Sequence, residues 1–150
     1  MRGWLLDTNV ISAVSGPKPE PRVAAWFKVQ PEHILFLSVL TLAEYWKGIE
    51  HLPPGHSLRS KHRQTLVRLE TRFAGRILSV SNAIVLRWGA ISGEVKRITR
   101  HSPSVIDTML AATAIEHSLY LATRNAMDVT HSGALVFNPW KDDPTNFPLA

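Results

Sequence analysis

Apolar and polar positions alternate along this chain in short blocks whose spacing switches between strand-like and helix-like periods. Residues 3–6 close on an apolar run, Trp4-Leu5-Leu6, and predict a first strand. Thr8 to Val14 predicts a short helix. A loop marked by Pro17, Pro19 and Pro21 follows, then a helix over Arg22 to Gln30 with Val23, Trp26 and Phe27 on one side. Ile34 to Val39 is an almost wholly apolar strand. Thr41 to Leu52 predicts a helix stopped by Pro53-Pro54-Gly55. His56 to Phe73 is a basic helix with Leu66, Leu69 and Phe73 as its apolar stripe, and Ile77 to Val80 is a third strand. Asn82 to Ile98 predicts a long helix burying Ile84, Leu86, Trp88, Ile91 and Val95. Another helix spans Pro103 to His117, and the last strands are Leu119 to Ala122 and Leu135 to Phe137.

Short, fully apolar strands separated by helices predict a mainly parallel sheet of about five strands, with helices on both faces. The expected organisation is one α/β domain over residues 1–140. Residues 141–150 form a polar, proline-containing tail with little regular structure. A chain of 150 residues is long enough to bury roughly 68–70% of its unfolded surface.

Composition narrows the chemistry. The chain has no cysteine, which excludes disulfides, zinc–thiolate sites and thiol catalysis, and agrees with a cytoplasmic location. No apolar run approaches the ~18 residues of a membrane span. Seventeen Lys and Arg against twelve Asp and Glu give a net charge of +5 and a pI near 10.0, a balance that favours a polyanionic partner.

Against that basic background, four acids stand beside apolar segments. Asp7 ends the first strand, Glu44 lies one turn into the helix after the second, Asp107 opens the helix beginning near Ser104, and Asp128 follows a strand. Ligand chemistry in open α/β sheets gathers at the carboxyl ends of strands. Each acid also has a plain structural reading. Asp7 fits a helix cap, Thr41 and Glu44 fit a capping box, Ser104 and Asp107 fit a capped first turn, and Asp128 fits a loop. If the four meet, their charges repel unless a cation joins them, and an all-oxygen donor set suits Mg²⁺ or Mn²⁺.

The stretches Leu5-Leu6-Asp7-Thr8-Asn9-Val10-Ile11-Ser12, Ser38 to Glu44, Ile106 to Ala114, Thr123 to Asp128 and Asn138-Pro139-Trp140 carry a family pattern in order along nearly the whole chain. The chain resembles the PIN-domain ribonucleases, and within them the VapC/FitB-like toxins of bacterial toxin–antitoxin pairs. The resemblance implies that Asp7, Glu44, Asp107 and Asp128 form an acidic quartet binding Mg²⁺ or Mn²⁺. In it Asp7 and Asp107 are direct ligands, and Glu44 either binds metal or positions water. Thr8, Thr123 and Asn125 are implied to orient carboxylates or water. Asp128 is followed by Val129, where the family commonly has an aromatic, and Tyr45-Trp46 stands where many relatives carry smaller or basic residues.

The implied reaction is endonucleolytic RNA hydrolysis leaving a 5′-phosphate and a 3′-hydroxyl. The implied partners are a cognate antitoxin, a second copy in a homodimer, and operator DNA reached through the antitoxin. Arg59, Lys61, Arg63, Arg68 and Arg72 are candidate contacts to the RNA backbone, or else a solvated helix face. Lys96, Arg97, Arg100 and His101 form a second basic cluster of the same kind. Alternatives are a co-regulatory binding protein whose acids hold a basic peptide, and a structure-specific DNA nuclease. A haloacid dehalogenase-type phosphatase is disfavoured, because Asn9 occupies the position where that chemistry needs a second Asp.

Overall fold

A computed structural model describes residues 1–150. Its five strands, β1 (Trp4–Leu6), β2 (Leu35–Ser38), β3 (Ile77–Leu78), β4 (Tyr120–Ala122) and β5 (Val136–Phe137), all pair in parallel in the order β3-β2-β1-β4-β5. Six helices connect them: α1 (Thr8–Ser15), α2 (Pro21–Lys28), α3 (Val39–His51), α4 (Ser57–Arg72), α5 (Asn82–Thr99) and α6 (Val105–Glu116). The expected α/β architecture is therefore present. The strand order reverses between β1 and β4, so a crevice opens at their carboxyl ends.

Side-chain alternation along β1 divides the interior. Trp4 and Leu6 enter a core with Val10, Ile11, Val23, Trp26, Phe27, Leu69 and Phe73 from α1, α2 and the end of α4. Leu5 faces the other way, onto Leu110, Ala111 and Ala114 of α6. Helix α6 is mostly apolar because it is covered twice: its Ala112 joins Ile84, Ile91 and Val95 of α5 in a third cluster. Among the residues expected inside α5, Leu86 is 66% exposed, so it lies off the buried stripe.

One local expectation is corrected. Helix α3 begins at Val39 and is capped by Ser38, whose hydroxyl accepts from the Leu40 amide. The Thr41 hydroxyl is buried without a partner, so the Thr41–Glu44 capping box does not form and Glu44 is free for another bond. The tail has only one 3₁₀ turn, Pro144–Asn146, yet it docks against the core. Phe147 packs edge-on against Tyr120 and Phe137, and the Tyr120 hydroxyl donates to the Pro148 carbonyl. Aromatic burial therefore holds a segment whose composition reads as loose.

The basic helix α4 is partly structural. Arg72 and Arg76 both bind Glu32, and Arg76 also donates to the Leu35 carbonyl while lying over the Phe73 ring. Arg59 donates to Glu50 and to the Leu52 carbonyl, closing the α3–α4 turn. Lys61, Arg63 and Arg68 remain exposed.

Candidate active site

Parallel pairing brings the start of α1 to the end of β4. The Asp7 amide donates to the Ala122 carbonyl at 3.0 Å, continuing the β1–β4 ladder by one bond. Asp7 is 5% exposed and caps α1. Its Oδ1 accepts from the Thr8 amide at 2.6 Å, and its Oδ2 accepts from the Thr123 hydroxyl at 2.6 Å and from Asn9 Nδ2 at 3.0 Å. The Thr123 hydroxyl in turn accepts from Asn9 Nδ2 and from the Asn125 amide. Its single proton thus goes to Asp7 and its lone pairs are filled by two N–H groups. Capping and site geometry are two uses of one carboxylate.

The other acids approach from different elements. From α3, Glu44 Oε1 accepts from the Thr8 hydroxyl at 2.6 Å. Asp107 lies in the first turn of α6, where the Ser104 hydroxyl accepts from its amide. Asp7, Glu44 and Asp107 line one polar cleft of about 610 Å³, together with Thr8, Asn9, Asn125, Arg124 and Trp140. Asp128 is exposed in the 3₁₀ turn Ala126–Val129, outside this lining but near enough for its charge to act on Asp107. Of the five α4 cations proposed for RNA, none lines the cleft. From α4, His62 lines a small side cleft with Thr8, Ser12, Glu44 and Tyr45.

The acids have no ion-pair partner here. Burial pushes the Asp7 carboxyl above its usual range, against the pull of three hydrogen bonds to its charged form. Burial first, then the charges of Asp7, Asp128 and Glu44, raise Asp107 to about 6, while a hydrogen bond with Ser104 works the other way. No Lys or Arg forms an ion pair with any of these acids. The donor set is all oxygen, and the cations that line the cleft, Lys18 and Arg124, pair with none of the acids, so the residues fit a hard divalent cation. No three of the chain's His, Asp and Glu side chains already lie close enough together to hold a metal ion, and Asp7 and Glu44 each accept from neighbouring hydroxyls.

A pH dependence follows from Asp107. Its folded pKa of about 6 lies above the unfolded value of 3.8, so between these values the folded state binds more protons. Its contribution favours folding at low pH and is lost as pH rises to about 6. In metal-free thermal melts, Asp107→Asn should gain on the wild type as pH goes from 4 to 7. A difference that stays constant over that range would contradict the assignment.

Sequence reasoning missed Asn9, which bonds both Asp7 and Thr123 and accepts from the Arg124 amide through Oδ1 at 3.3 Å. Its position two residues after Asp7 was the available signal. It also passed over Arg124 and Trp140 as cleft residues, and nothing in local pattern places them there.

Comparison with known proteins gives the family. A family profile described as PIN domain matches residues 4–127. The chain belongs to the PIN-domain family. This PIN domain is 35% identical over 138 residues to the toxin FitB of Neisseria gonorrhoeae, covering 92% of this chain and 99% of that protein. It is 31% identical over 143 residues to a VapC ribonuclease of Sinorhizobium fredii, covering 91% and 97%. A solved structure of FitAB bound to a DNA fragment superposes with a TM-score of 0.82 at 32% identity, covering 93% of this chain and 97% of that one.

Proposed function

We propose that this PIN domain is a divalent-metal-dependent endoribonuclease and the toxin of a VapBC-type toxin–antitoxin pair. The observation that carries the reading is the convergence of Asp7, Glu44 and Asp107 on one polar cleft with no cation paired to them. Asp7 and Asp107 hold Mg²⁺ or Mn²⁺, with Asp128 at the rim as a further acid. A bound divalent cation neutralises the acids and polarises water and the scissile phosphate. Thr8 occupies one oxygen of Glu44 and fixes its direction, leaving the other oxygen to orient water and accept its proton. Thr123 and Asn9 hold Asp7, and Asn125 fixes Thr123 through its amide.

The relative named as the toxin FitB, the relative named as a VapC ribonuclease and the DNA-bound FitAB structure support the biological role. In that role the chain acts on RNA in the cytoplasm, forms a homodimer, is silenced by a cognate antitoxin, and meets operator DNA only through that partner. The assignment of Lys61, Arg63 and Arg68 to RNA rests on their exposure, whereas Arg59 and Arg72 already serve Glu50 and Glu32.

The test is cleavage of total cellular RNA by the purified, antitoxin-free chain, with the products mapped end to end. Discrete cuts are expected with Mg²⁺ or Mn²⁺ and none with EDTA. RNA left intact under both metals would sink the nuclease reading and favour a binding protein whose acids hold a basic peptide.

A further inference from the structure

We propose that Arg124, braced on Trp140, is a phosphate-binding residue that holds an RNA phosphodiester in the acidic cleft. This rests on the nuclease reading and adds a residue to it. Arg124 lines the same cleft as Asp7, Glu20, Glu44 and Asp107, four carboxylates that would each attract a guanidinium. It pairs with none of them. The chain's ion pairs use Arg59, Arg72, Arg76, Arg87 and Arg97 only, and the Arg124 side chain makes no hydrogen bond to protein. Its guanidinium instead lies 5.3 Å from the centre of the Trp140 ring.

That arrangement suits an anion. A guanidinium stacked on an aromatic face keeps its N–H edge free, in a fork that matches two phosphate oxygens. The platform is fixed: Trp140 packs against the main core and its amide donates to Asn138 Oδ1. The backbone is fixed as well. The Arg124 amide donates to Asn9, and the same Asn9 donates to Asp7, so one side chain ties the phosphate-binding residue to the proposed metal-binding acid. Acids alone would repel a phosphodiester. A permanent cation in the cleft supplies attraction that does not depend on pH.

Two readouts test this: steady-state cleavage of a labelled single-stranded RNA with Mn²⁺, and anisotropy of the same RNA in EDTA, each from 50 to 200 mM salt. One lost phosphate contact flattens the logarithmic salt dependence by about 0.7 and is worth about fivefold at 0.1 M salt. Arg124→Ala should show both changes, in kcat/KM chiefly through KM and in the dissociation constant. Arg124→Lys should retain the salt slope. Unchanged affinity, kcat/KM and slope in Arg124→Ala would overturn the proposal while leaving the nuclease reading intact. RNA binding without cleavage by the wild type would remove the nuclease reading, and Arg124→Ala binding would then decide. If the wild type neither binds nor cuts RNA, both fall together.

Discussion

Asp7→Asn should abolish RNA cleavage, lowering kcat by roughly 10²–10³-fold or more, while the chain stays folded. The carboxylate is buried and accepts from the Thr8 amide, the Thr123 hydroxyl and Asn9. An amide has the same shape, but its NH2 must face either the Thr8 amide or the Thr123 hydroxyl and Asn9, all donors, so only its oxygen side keeps its bonds. It also removes a negative charge that burial disfavours. Loss of hydrogen bonds and relief of the buried charge act in opposite directions, so the metal-free variant should remain folded with a cooperative melt.

Divalent metal separates the two proteins. A ligand at 100 times its dissociation constant stabilises the folded state by about 2.7 kcal/mol. For a chain of this length each kcal/mol raises Tm by about 2–4 °C, so saturating Mn²⁺ should raise the wild-type Tm by about 5–10 °C. Asp7→Asn should show little of that rise. Equal rises in both proteins would remove Asp7 from the metal site, and equal cleavage would point to a contaminating nuclease.

Gly3→Ala should destabilise the fold by about 3 kcal/mol, a cost typical of severe overpacking. A Cβ at Gly3 would lie 2.2 Å from the Ile34 carbonyl oxygen and 3.0 Å from its carbon, both backbone atoms that no rotamer change can move. The Gly3 carbonyl also accepts from the Tyr120 amide, so β1 cannot retreat without straining its pairing with β4. The urea midpoint should fall, with Tm lower by about 6–12 °C. An unchanged midpoint would mean the β1–β2 approach is looser than the structure shows. The variant also bears on function, because Asp7 takes its position from the end of this strand.

Much of the fold and part of the site are legible in the order of residues along the chain. Trp4, Leu5 and Leu6 announce a buried strand by composition alone, and Val23, Trp26 and Phe27 announce the buried side of α2 by spacing. All of them are buried. Asp7, Glu44 and Asp107 stand out because an acid beside an apolar run is conspicuous within a few residues. The parallel sheet follows from the same local signals. Glu44, by contrast, reads locally as half of a capping box, and only the earlier start of α3 and the contact with Thr8 decide otherwise. Arg72 reads as an RNA contact until Glu32, forty positions away, is found against it.

By itself, then, the sequence determined which segments are buried, which fold class they build and which acids are chemically conspicuous, because periodicity and short motifs act over a turn or a strand. The tertiary structure alone decided that Thr123 grips Asp7 across 116 positions, that Asp107 is raised to about 6, that the tail is pinned through Phe147, and that Arg124 rests on Trp140 in the cleft. These depend on parallel register and on distances through space. Burial and Coulomb interaction respond to those distances, and separation along the chain does not encode them.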